Sequence, residues 1–139
     1  MKDLNIPKIK LAIKKLAPKY QLSLVLLFGS QATGKTHFGS DADIAYLAEK
    51  RTRPIEEAHM ALEFSKKLKI NARDLELVNL KEAPPFLLRQ IADKSILLYE
   101  KEALIFANFK IYAFKRFMEA QKLFKLKEKS LNKFLRQKV

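Results

Sequence analysis

Apolar residues first recur at helical spacing: Ile6, Ile9, Ile13 and Leu16 lie on one side of residues 6–17 with lysines between them, and Pro18 then stops the pattern. This predicts an amphipathic first helix. Ser23 to Phe28 is a short, nearly continuous apolar run ending at Gly29, the pattern of a buried strand. Asp41 to Leu47 predicts a second strand, and all three glycines of the chain fall between the two, in residues 29–40. Pro54, Glu56 and Glu57 open a second helix whose buried face is read as Ile55, Ala58, Leu62 and Leu68; lysines 66, 67 and 69 close it, with Asn71 as the stop. A third strand over Asp74–Leu80, a break at Ala83-Pro84-Pro85, a short helix over Phe86–Ala92 and a last short strand over Ser95–Tyr99 follow. Beyond them no glycine or proline occurs up to Val139. As one straight helix that final segment would run roughly 58 Å, longer than a domain of this size is wide, so it must bend, protrude or clasp a partner.

The expected fold is therefore α/β (α+β), a small mixed sheet flanked by helices, with residues 1–100 as the folded unit and 101–139 as a helical tail. At 139 residues the chain has room for one domain with a modest core. The absence of cysteine excludes disulfides, thiolate zinc sites and cysteine nucleophiles. The N-terminus lacks the apolar run of a signal peptide and no later stretch is long enough to span a bilayer, which reads as cytoplasmic. A net charge of +13 points to a polyanionic or acidic partner without choosing among nucleic acid, nucleotide, acidic protein and anionic lipid. The tail narrows this: residues 101–139 carry 11 basic against 3 acidic residues and half of the chain's 14 aromatics. So many phenylalanines on one helix exceed what a small core can bury, which favours a protein interface over the rival use, stacking on single-stranded nucleic acid.

Two motifs overlap in the glycine-bearing loop. Gly29-Ser-Gln-Ala-Thr-Gly34-Lys35-Thr36 matches the phosphate-binding loop of P-loop enzymes. That fold needs a full helix after Lys35 and Thr36, yet Gly39 and Ser40 follow within a turn and a strand starts at once. The second constellation is Gly29-Ser30, ten residues, then Asp41-Ala42-Asp43. Carboxylates one residue apart on a strand project from the same face and can share metal ions. Mg²⁺ takes hard oxygen ligands and leaves octahedral positions for substrate phosphates, so Asp41 and Asp43 are its candidate ligands. Gly29 and Ser30 can cradle a triphosphate through backbone N–H groups and a hydroxyl, with Lys35 and Ser40 as further contacts. Asp74 and Glu76 on the third strand share a face, and one of them supplies the third carboxylate. Such a site suits in-line displacement at the α-phosphorus of a nucleoside triphosphate. His37 and His59 enter no site.

Gly-Ser, ten residues, Asp-x-Asp is the signature of the minimal nucleotidyltransferases (MNT) of the DNA polymerase beta-like superfamily, and residues 7–100 resemble that family. Leu75-Glu76-Leu77-Val78-Asn79-Leu80-Lys81-Glu82-Ala83-Pro84-Pro85 is similar to its third strand and following turn; by that register Glu76 stands where the family usually has Asp, ahead of Asp74. The resemblance implies Mg²⁺-dependent transfer of AMP from ATP, with Asp41, Asp43 and Glu76 catalytic. It further implies a HEPN-type RNase toxin as partner, bound through the C-terminal helix and silenced by adenylylation of a tyrosine. Two alternatives stay open: a non-catalytic antitoxin that neutralises by binding, and a transferase acting on RNA or a small molecule.

Overall fold

The computed structural model describes residues 5–29 and 42–138. Among them, α1 (Ile6–Leu16) and a 3-10 turn (Ala17–Tyr20) lead into β1 (Leu22–Phe28). Then come β2 (Ala42–Ala48), α2 (Pro54–Leu68), a second 3-10 turn (Ala72–Asp74), β3 (Leu75–Asn79), α3 (Pro85–Asp93), β4 (Ser95–Glu100) and α4 (Ile105–Lys138). Asn5 caps α1 by accepting from the Lys8 N–H at 3.3 Å, and Ile9, Ile13 and Leu16 are buried as the periodicity predicts. Pro18 tightens the next turn to 3-10 geometry, and Gln21 reverses the chain into β1 with a left-handed φ of 53°.

The four strands form one mixed sheet in the order β3-β2-β1-β4, with β1 antiparallel to both neighbours and β2 parallel to β3. Central position explains the unbroken apolar run of β1: with strands on both sides and helices on both faces, Leu24, Val25, Leu26 and Leu27 have no exposure at all. On one face Val25, Leu27, Ile44 and Tyr46 pack against Ile13 of α1 and Met60 and Phe64 of α2. On the other, Leu24, Leu26 and Ala45 pack against Leu88 and Ile91 of α3 and Phe109 and Ala113 of α4.

Three expectations need correction. The buried face of α2 is Met60, Phe64 and Leu68, whereas Ile55 and Leu62 are 58% and 50% exposed and Ala58 faces solvent. A polar residue conceals that face from periodicity: Glu57 lies on it, half-buried, and accepts the hydroxyl proton of the buried Tyr46. Tyr46 therefore does not turn its hydroxyl to water, and burial first, then this bond, holds it protonated well above the ordinary tyrosine range. Second, α2 stops before Asn71, where Lys69 adopts a left-handed φ of 58° and the Ile70 N–H closes onto the Ser65 carbonyl at 3.0 Å. Third, β3 is shorter than expected, and Asp74 belongs to the 3-10 turn before it.

The helix α4 starts where the Glu100 carboxylate accepts the Phe106 N–H at 3.0 Å. It runs 34 residues, about 51 Å, and of the three options it protrudes. Its first half lies on α3, β1 and β4; from residue 122 to 137 every residue is exposed. Among the described residues no helix is long and apolar enough to cross a membrane.

Candidate active site

β1 ends where β2, β3 and β4 begin, so one register row crosses the whole sheet: Glu76 opposite Asp43, Asp43 opposite Phe28, Phe28 opposite Ser95. Partners in a row share a face, and Phe28 packs into the α3/α4 core, so Asp43, Glu76 and Ser95 stand on that face at the open end of the sheet. Adjacent strands lie about 4.8 Å apart, which brings the Asp43 and Glu76 carboxylates within joint reach of one small cation. Asp43 is half-buried and Glu76 exposed, so the pair is anchored at one side and open at the other.

Gly29 follows Phe28 directly and turns the chain with φ +78°. A Cβ built there would sit 2.1 Å from Asp43 Oδ2 and 3.1 Å from its Cγ. Glycine is thus required twice, by a left-handed backbone and by a carboxylate laid against it. The strand-end glycine and the second aspartate of the sequence motif meet in space. Of the two candidates for the third carboxylate, Glu76 is in register with Asp43, whereas Asp74 lies off the ladder, its N–H donating to the Asn71 carbonyl at 2.9 Å. Ser30, Lys35, Ser40 and Asp41 lie outside the described residues. Among the described residues no group of three histidine, cysteine, aspartate or glutamate side chains stands together. Asp43 and Glu76 offer carboxylate oxygens, the ligand chemistry that suits Mg²⁺, and the Asp43 carboxylate occupies the space that a side chain on residue 29 would take.

Two features escaped sequence reading. Ser95 ends the row with a buried hydroxyl that finds no hydrogen-bond partner among the described residues; in the sequence it is merely the first residue of a strand. A cavity of about 360 Å³ lined by Leu47, Leu80, Lys81, Phe109 and Tyr112 lies at the opposite end of β2 from Asp43. It brings no carboxylate to the row.

The polymerase beta nucleotidyltransferase family matches residues 11–104, roughly two-thirds of the chain. The chain belongs to that family. Its architecture, a mixed four-stranded sheet with flanking helices and a long C-terminal helix, is the nucleotidyltransferase fold. Among solved structures this chain is similar to a chain of a toxin–antitoxin complex with AMP-PNP, at 26% identity and a TM-score of 0.67 over 91% of this chain and 98% of that one. It is similar to a chain in the complex of MNT antitoxin with tri-AMPylated HEPN toxin of Shewanella oneidensis, at 23% identity and a TM-score of 0.64, covering 94% and 98% of the two chains. An MntA–HepT toxin–antitoxin complex follows at 22% identity and a TM-score of 0.62, covering 91% and 97%. No curated protein sequence matches.

Proposed function

We propose that this chain is a Mg²⁺-dependent adenylyltransferase that moves AMP from ATP onto a tyrosine of a cognate HEPN-type RNase toxin, acting as its antitoxin in the cytoplasm. The observation that carries this reading is the row end itself, where Asp43 lies against Gly29 with Glu76 in register beside it. The neighbour with AMP-PNP and the one whose HEPN partner is AMPylated support the nucleotide and the acceptor.

Asp41, Asp43 and Glu76 would hold the metal, with Asp74 the competitor for the third position. Bound there, Mg²⁺ supplies neutralisation of charge on the triphosphate and on the departing pyrophosphate. The chain's own residues do the rest. Gly29 lets the backbone come close to the β- and γ-phosphates, and Ser30, Ser40 and Lys35 add a hydroxyl pair and a positive charge around them. Glu76, the more solvent-open carboxylate, takes the proton of the attacking hydroxyl. The acceptor oxygen bonds to the α-phosphorus as the bond to the bridging oxygen breaks, and pyrophosphate leaves with the electron pair. Residues 1–100 carry this chemistry together with the part of the last helix that packs on them through Phe109 and Ala113, and the exposed remainder of residues 101–139 binds the toxin.

The test is transfer of label from α-labelled ATP to the product of the adjacent gene, for the wild type and for Asp41→Asn/Asp43→Asn. Label that depends on both aspartates is the expected result. A second reading has one observation behind it, Glu76 standing where the family usually has Asp: the fold serves only to bind. A stable complex without label in this assay would establish that reading instead.

A further inference from the structure

The apolar line that seats α4 on the body does not stop where the body does. Ala113, Phe117, Ala120, Phe124, Lys127 and Leu131 follow at intervals of 4, 3, 4, 3 and 4 residues, the alternation at which two helices share a seam. Along the inner half the body covers this line: Ala113 is buried, and Phe117 meets Phe86 of α3 edge-on at 5.5 Å with the Arg89 guanidinium 4.9 Å from its ring centre. Beyond residue 121 the same line runs on exposed, with Phe124 at 62% and Leu131 at 56%, and Leu135 beside it at 51%. Lys122, Lys125, Lys129, Lys133 and Arg136 occupy the opposite side of the helix.

We propose that the outer half of α4 is a helix-pairing seam whose occupant is the acidic helical face of a protein partner, laid along Phe124 and Leu131 and butting against Phe86. This rests on the reading that the chain acts on a protein partner and deepens it by naming the surface. Three observations choose the occupant. The seam faces the same side as the body, so α3, a helix about 10 Å across, holds a flat bilayer away from it while a single helix fits alongside. Residues 122–137 hold six basic residues against one acid, with Lys127 inside the seam, so an acidic face is attracted where a second copy, also at +13, is repelled. Nucleic acid would engage the lysine-lined back instead.

The experiment measures affinity of the full chain for the product of the adjacent gene, by calorimetry and by light scattering after size exclusion. It compares wild type with Phe124→Glu/Leu131→Glu in the seam and Lys125→Glu/Lys133→Glu on the back. The seam variant is expected to bind at least about 100-fold more weakly, and the back variant, which weakens long-range attraction but removes no contact, at most about tenfold more weakly. Both keep the wild-type melting temperature, because all four side chains are exposed. Equal binding by wild type and seam variant overturns the seam; if the wild type still labels that partner, the transferase reading stands without it. Neither complex nor label with wild type overturns both. A wild-type chain that dimerises, or binds single-stranded RNA or anionic vesicles, through contacts the seam variant removes also overturns the inference.

Discussion

The end of the sheet at Gly29, Asp43 and Glu76 and the exposed outer half of α4 constrain the sequence in opposite ways. At the sheet end identity matters atom by atom: a single methyl on Gly29 would fall 2.1 Å from Asp43 Oδ2. On α4 only character and spacing matter, since Phe124 and Leu131 touch nothing that demands their shape and any large apolar residue at a 3.5-residue interval would continue the line. A site for chemistry is held by neighbours that fix it to fractions of an ångström. A docking surface is left uncovered, and its order comes from the helix beneath.

The sharpest way to separate the two regions is to substitute in each and read both catalysis and stability. Asp43→Asn should lower AMP transfer by about 10³-fold or more, roughly 4 kcal/mol of barrier, with the melting temperature nearly unchanged; transfer at a tenth of wild type would remove Asp43 from the reacting centre. Within α4 itself, Phe109→Ala on the covered half should cost about 3 kcal/mol in denaturant unfolding, against less than about 0.5 kcal/mol for Phe124→Ala on the exposed half. Comparable costs would mean that the outer half packs on something in the isolated chain. Gly29→Ala should reduce transfer by about 10²-fold through displacement of the Asp43 carboxylate, together with a small loss of stability from the left-handed backbone. Restoring transfer with higher Mg²⁺ alone would instead point to affinity as the only loss.

Smaller effects sharpen the row. Glu76→Gln is expected to cost about 10- to 100-fold in transfer or in Mg²⁺ affinity, with Asp74→Asn within about threefold of wild type. The reverse order would make the 3-10 turn, not the ladder, the source of the third carboxylate. The smallest effect belongs to the tie between α2 and the turn after α1, where Glu63 receives Lys19 and the Tyr20 hydroxyl. Those two donors hold its carboxyl below the ordinary value of 4.5. A depressed carboxyl stabilises the fold above its unfolded value and loses that contribution as pH falls through the folded one. The melting-temperature difference between wild type and Glu63→Gln should therefore be present at pH 7 and shrink below about pH 4.5, vanishing towards the lower folded value.

What could be read in the chain alone was whatever local spacing encodes. β1 stood out because a central strand covered on both faces has no polar alternation to maintain. α3 was marked by the Ala83-Pro84-Pro85 break before it, although it starts at Pro85 rather than Phe86, and Gly29 with Asp43 by a fixed interval between a strand end and a strand start. The helical character and excess length of α4 followed from the lack of any glycine or proline after the strand that ends at Tyr99. The rest depended on contacts between residues distant in sequence. The rotation of α2 was set by the bond from Tyr46 to Glu57 across to β2, which makes a glutamate part of the buried face and turns Ile55 and Leu62 outward. Alternation alone puts Asp74 and Glu76 on one face and the family resemblance ranks Glu76 first, but only pairing with β2 stands Glu76 opposite Asp43. The end of the body along α4 was equally hidden: the same heptad line runs through both halves of the helix, and only the packed tertiary structure decides that α3 covers Phe117 and leaves Phe124 in the open.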